Sequence, residues 1–228
     1  MKEPNSFEGD IVAKEWIQSI ESVQKSSREL EYYPLLDRWS KNFHSATIVE
    51  IGSGQGVCSS HLDLSTNSYI GIEPSKILIE RARELYPETN RKFIEGNSSH
   101  LPLPDESVDA VFSLGVWFHI QDVDKAHEEA HRILKPGGKL LILTGNPESQ
   151  SQWESFFENP KVEGNTIEGK VYVPGGSMSH NIVILHSRQK LITSLEDVGF
   201  EVNSVEEMGF GSTKRKQGIF IKIEAVRI

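Results

Sequence analysis

The stretch "VEIGSGQG", Val49 to Gly56, places three glycines within five positions directly behind a short apolar run. Glycines permit positive φ and close approach of a ligand, and backbone N–H groups at a following helix start can face a polar group. The run "ATIVEI" reads as a strand, and a helix is expected from about Val57. Such a strand–turn–helix unit opens an α/β sheet, whose ligands sit beyond the carboxyl ends of the strands, where strand order reverses.

The alternation continues along the chain. "SYIGIE" reads as a second strand, with a helix over Ser75 to Tyr86 started by Pro74-Ser75. "RKFIEG" and "VDAVFSLG" are the third and fourth strands; a helix then runs from about Val123 to Leu134, stops at "KPGG", and leads into "KLLILTG". Ahead of the sheet, Lys14 to Phe43 shows helical spacing of Trp16, Ile17 and Ile20, then Leu35, Leu36 and Trp39, with Pro34 at a helix start or kink. Between Asn146 and Ser187 the pattern changes: "TIEGKVYV", "PGGS" and "MSHNIVIL" read as an antiparallel hairpin. A helix over Arg188 to Val198 and the strands "FEVNSVEEM" and "GIFIKIEAV" close the chain. The expected fold is α/β: a Rossmann-like, doubly wound, mostly parallel seven-stranded sheet with a C-terminal antiparallel strand, N-terminal helices and an inserted β-hairpin.

The 228 residues suffice for one core and suggest a single domain. Its parts would be a helical lid over 14–43, a ligand-binding core over 46–145, an inserted hairpin over 146–187 that caps the ligand, and a closing helix and strands over 188–228. With 24 Lys and Arg against 33 Asp and Glu, the net charge of −9 disfavours a nucleic-acid partner. Lys214-Arg215-Lys216 is the sole basic cluster. No run approaches the roughly 20 apolar residues of a membrane span, and the first ten residues hold no apolar signal segment. A single cysteine, Cys58, allows neither an internal disulfide nor a cysteine metal cage. The expected location is the cytoplasm.

A dinucleotide fingerprint G-x-G-x-x-G starting at Gly52 and Gly54 would need glycine where the chain has Val57. The glycines instead run G-x-G-x-G, with Glu50 two residues ahead of Gly52. A carboxylate there suits a ligand bearing an ammonium and a sulfonium better than a pyrophosphate. "VEIGSGQG" resembles the first motif of class I S-adenosylmethionine-dependent methyltransferases, close to the small-molecule, ubiquinone-biosynthesis type. "EGNSSHLPLPDESVDAVFSLGVWFHI" and "HRILKPGGKLLIL" resemble the family's later segments in the right order, over about Ile48 to Thr144.

The resemblance implies a cofactor, S-adenosyl-L-methionine, its product S-adenosyl-L-homocysteine, and a seat built from Glu50, Gly52, Gly54, Gly56, Glu73, Pro74, Asn97, Ser98 and Leu114. Glu73 would hold the ribose hydroxyls. Asn97 stands where the family usually has an aspartate; its carbonyl could still accept from the adenine amino group, and Ser98 would offer its backbone N–H to the ring. His119 follows "LGVWF" at a place where the family often carries a histidine: a general base, or a buried histidine bonded to backbone. The implied reaction is in-line methyl transfer to a small-molecule acceptor at an O, N or C atom. A protein side chain as acceptor, and a cofactor-binding regulator without turnover, are the alternatives. The acceptor, its atom and the oligomeric state are not readable.

"HEEAH", His127 to His131, matches the H-E-x-x-H zinc pattern. Ala126, Ala130, Ile133 and Leu134 form that helix's apolar stripe, and Asp124, Lys125, Glu128, Glu129 and Arg132 its charged side. The histidines fall between the two, as boundary residues of an outer helix, and no metal is expected. Trp117, Phe118, Trp153, Phe156, Phe157 and Tyr172 could line an acceptor site or be core, and His180 and His186 could face either pocket or solvent.

Overall fold

The structure, a computed structural model, describes residues 10–22, 28–172, 178–209 and 218–228. Helix α1 covers Asp10–Ser22; a π-helical turn over Arg28–Tyr32 runs into α2, Tyr33–Ser40, whose second residue is Pro34. The sheet half comprises β1 (Thr47–Ile51), β2 (Ser68–Glu73), α3 (Lys76–Leu85), β3 (Arg91–Glu95), β4 (Val108–Leu114), α4 (Val123–Ile133) and β5 (Leu134–Gly145). Then come α5 (Gln150–Glu154), β6 (Phe157–Glu163), β7 (Thr166–Tyr172), β8 (Met178–Ile184), α6 (Arg188–Asp197), β9 (Phe200–Met208) and β10 (Phe220–Arg227).

The large sheet has the order β3-β2-β1-β4-β5-β10-β9. β10 runs antiparallel to both its neighbours, and the β1, β2, β3, β4 and β5 pairings are parallel, as expected. Strand order reverses between β1 and β4, which places the ends of β1, β2, β3 and β4 around one crevice. Side chains alternate across this sheet because strand period is two. Val49, Ile51, Val111, Leu140 and Ile142 face α4 and α6, while Ile48, Phe112 and Leu141 face α2 and α3. Full burial of each such aliphatic is worth about 1.5–3 kcal/mol, so two covered faces hold the sheet.

Caps mark the helix starts. Asp122 accepts the Lys125 N–H ahead of α4, and Ser187 accepts the Lys190 N–H ahead of α6. Helix α3 starts where Pro74-Ser75 predicts, yet the Ser75 hydroxyl makes no cap bond.

Two elements differ from expectation. The segment from Val57 is a five-residue 3₁₀ turn, Val57–His61, in which the Ser59 and Ser60 hydroxyls bond back to Gly56 and Val57 carbonyls. Serines that compete for backbone groups keep the turn from extending. The insertion holds three strands, β6-β7-β8, rather than a hairpin. β6 hides in sequence because Pro160 and the positive-φ Asn159 interrupt it at an edge, where a proline needs no ladder partner. The turn "PGGS" and the Lys214–Lys216 cluster lie outside the described residues.

Helix α4 is buried more deeply than its charge pattern suggests. His127 is fully buried and Glu129 is 5% exposed, so neither belongs to a boundary or solvent face. Glu129 takes the Leu101 N–H at 2.8 Å and pairs with Arg132, which satisfies its carboxylate inside the fold.

Candidate functional site

The turn after β1 is built on glycine for steric reasons. Gly52, Gly54 and Gly56 have φ of 76°, 54° and 80°. A Cβ on Gly52 would lie 2.5 Å from a Val116 methyl, and one on Gly56 would lie 2.6 Å from the Phe93 ring. At Gly54 the nearest atom is the Trp16 indole nitrogen, 3.6 Å from the Cβ position, so α1 lies over this turn. Arg28 stacks on the Trp16 ring, and Glu21 pairs with Arg81 of α3 at 2.6 Å.

Glu73, at the end of β2, fastens the turn. Its Oε2 accepts the Gly54 N–H at 2.9 Å and its Oε1 accepts the Ser75 N–H at 3.0 Å. Burial pushes its pKa up to about 7, against the lowering effect of those two bonds. Glu50, one strand away, is 2% exposed and receives the Tyr69 hydroxyl at 2.5 Å. Burial, with a smaller contribution from the nearby Glu73, pushes Glu50 up to about 8 against the lowering effect of the Tyr69 hydroxyl. Gly71 makes room for this pair: a Cβ there would come within 2.8 Å of the Tyr69 hydroxyl. Sequence reading missed Tyr69, although a tyrosine two residues before a glycine in an otherwise aliphatic strand was a signal. It also missed Gln55, whose buried carbonyl oxygen has no hydrogen-bond partner among the described residues.

The remaining expected residues divide. Pro74 and Ser98 lie at the ends of β2 and β3, with Ser98 buried, and Leu114 ends β4 half-buried, so all border the same crevice. Asn97 is exposed, and its carbonyl oxygen already takes Ser99 N–H, Ser99 O–H and His100 N–H within 3.1 Å. That oxygen is committed to its own turn.

His119 sits in a 3₁₀ turn, Trp117–His119, after β4. Its Nδ1 lies 2.9 Å from the Ile182 carbonyl, which can only accept, so Nδ1 carries the proton. Burial pulls its pKa down to about 4, which keeps the ring neutral. The backbone-bonded alternative is therefore the geometry found, with His119 joining the loop after β4 to β8. His186 likewise bonds the Ile120 carbonyl, while His180 is exposed beside Glu168. Phe118, Trp153 and Phe157 pack as core beneath the small sheet with Ile167, Val183 and Leu185. Trp117 is fully buried and Phe156 is exposed; the side chain of Tyr172 lies outside the described residues.

The H-E-x-x-H histidines do not converge. His127 accepts the Trp117 indole N–H at 2.9 Å through Nε2 and bonds Ser194 at 2.8 Å through Nδ1, so both nitrogens are engaged. His131 packs edge-on to Phe200, at 5.4 Å between ring centroids.

Residues 49–142 match the family of methyltransferase domains. A probable S-adenosylmethionine-dependent methyltransferase of Mycolicibacterium smegmatis is 32% identical over 43% of this chain and 38% of its own length. The ubiquinone/menaquinone biosynthesis C-methyltransferase of Haemophilus ducreyi is 33% identical over 54% of this chain and 49% of its own. The chain thus spans half or less of those curated relatives. The crystal structure of an S-adenosylmethionine-dependent methyltransferase from Mesorhizobium loti superposes with a TM-score of 0.65 at 20% identity, covering 89% of this chain and 98% of that one. Among the described residues, no helix is long and apolar enough to cross a membrane.

Proposed function

We propose that this chain, a member of the class I S-adenosylmethionine-dependent methyltransferases, moves a methyl group from that cofactor to a small-molecule acceptor. The observation that carries the reading is the Glu73 carboxylate fastened to Gly54 across the crevice between strand ends. The residues fit the cofactor. Each Glu73 oxygen accepts one backbone N–H and keeps a lone pair for a ribose hydroxyl. The unpartnered Gln55 carbonyl and the buried Glu50 suit a cationic group, and burial already disfavours Glu50 ionising alone. Gly52, Gly54 and Gly56 let the backbone approach the ligand. Pro74 and Leu114 border it, and the adenine contact falls to the Ser98 backbone N–H, since the Asn97 oxygen is occupied.

When bound, the cofactor supplies an electrophilic methyl group on a sulfonium. The chain's own task is alignment and exclusion of water, which together are worth up to about 7–11 kcal/mol. His119 acts by position: its bond to Ile182 ties the loop after β4 to the inserted sheet. Helix α1 and the insertion form a lid, with Trp16 over Gly54. The acidic balance argues against nucleic acid as the acceptor and favours a small metabolite.

Calorimetric titration with S-adenosylmethionine and S-adenosylhomocysteine tests the seat; micromolar binding that Glu73→Ala abolishes is expected. A metabolite panel with the labelled cofactor then tests transfer. No binding by the wild type overturns the reading, and binding without transfer to any acceptor leaves a regulator instead.

A further inference from the structure

The H-E-x-x-H motif leaves a buried polar chain unused by the cofactor seat. Trp117 can only donate through its indole nitrogen, so His127 Nε2 is the acceptor and His127 Nδ1 bears the proton. Nδ1 then donates to Ser194 Oγ. The Ser194 hydroxyl, left with its own proton, bonds the Asp124 carboxylate, which pairs with Lys190 at the surface. Four side chains from α4, α6 and the loop after β4 are thereby ordered in one direction. The Trp117 and His127 rings also stack, 5.9 Å apart at 20°. His186 faces this group too, through the charges acting on His127.

The end of this chain touches the cofactor turn. Val116, next to Trp117, fills the space that a Gly52 side chain would need. Phe118, on the other side, enters the apolar cluster under the inserted sheet, and His119 bonds that sheet. One indole N–H therefore sits between the glycine turn and the insertion.

We infer that His127 is a positioning residue: through the Trp117 indole N–H it seats the loop after β4, and with it Val116, against the glycine turn. The inference rests on the cofactor reading of that turn. A buried donor left unpaired costs enough to shift the loop, and α4 and α6 supply the rigid frame. The neutral state of His127 agrees with it, since burial holds its pKa down to about 3 and an imidazolium would lose the acceptor.

The test compares His127→Leu, His127→Gln, Ser194→Ala and wild type. Glutamine retains a carbonyl able to accept from the indole; leucine does not. Readouts are S-adenosylhomocysteine affinity, the Trp117 indole N–H resonance (assigned with Trp117→Phe), and hydrogen exchange over 52–56 and 115–120. His127→Leu should weaken binding about tenfold and speed exchange in both segments, with His127→Gln recovering most of the loss. Ser194→Ala should move the indole resonance. Equal affinity in all variants, with only the melting temperature lowered, overturns the inference. If His127→Leu does not fold, an unmoved resonance and unchanged affinity in Ser194→Ala overturn it equally. A wild type that fails to bind S-adenosylhomocysteine sinks the cofactor reading instead, while resonance and exchange still decide whether the indole contact governs the loop.

Discussion

Glu73 Oε2 accepts the Gly54 N–H at 2.9 Å, so the residue that closes β2 fastens the turn that follows β1. The other oxygen accepts the N–H of Ser75, the residue that precedes α3 and whose own hydroxyl makes no cap bond. One carboxylate thus joins a strand end, a glycine turn and a helix start. Helix-start N–H groups normally lack partners, and this carboxylate supplies one from within the site.

In Glu73→Gln one oxygen becomes an amide nitrogen that must face a backbone N–H. Two donors then oppose each other, and the negative charge is gone. Affinity for S-adenosylhomocysteine should fall about tenfold or more, read by calorimetry. An unchanged affinity would remove Glu73 from the seat.

Gly52→Ala introduces two separable costs. The φ of 76° disfavours any side chain by about 1–2 kcal/mol, and the new methyl overlaps Val116. Adding Val116→Ala should restore the overlap part of the urea-denaturation loss and leave the backbone part. Full recovery in the double variant would mean that the left-handed backbone carries no cost.

The Glu50 carboxyl makes the cofactor-free protein pH-dependent. Its pKa is about 8 when folded against an ordinary 4.5, so the unfolded chain releases this proton first. Stability from this group is complete below the ordinary value and is lost as pH rises toward 8, by at most about 1.4 kcal/mol per pH unit. The buried, neutral His119 and His127 oppose this by adding stability as pH rises to about 6.5, so urea midpoints should fall between about pH 7 and 8. Glu50→Gln should flatten the fall to the smaller part that Glu73, raised to about 7, still contributes. A slope identical to wild type would contradict the burial argument.

Removing residues 1–22 should leave the melting transition of the sheet core nearly intact while turnover falls sharply. Helix α1 meets α3 through an ion pair at the surface, Glu21–Arg81, a type worth about 0–1 kcal/mol. Its Trp16 nevertheless lies over Gly54. Equal loss of stability and turnover, followed by calorimetry and a methyl-transfer assay, would count against a lid.

Much of this site was legible because its signals are local. The spacing of Gly52, Gly54 and Gly56 reports a backbone demand, and the acid at the end of "SYIGIE" was singled out by the family resemblance. At Asn97 the serine and histidine behind it occupy its oxygen, a short-range effect that a family pattern does not display. His127 was misjudged because charge on one helix face does not reveal how much of the helix a neighbour covers.

Local patterning carried the alternation of strands and helices, the seven strands of the large sheet, and the glycine turn. Each follows from periodicity or φ requirements within a few residues. Long-range packing set that Tyr69 meets Glu50, that His127 joins Trp117 to Ser194, that α1 lies over Gly54, and that β6 completes the inserted sheet. These depend on which distant side chains share a buried space. Burial requires each polar atom to find a partner there, and sequence distance does not specify which one it finds.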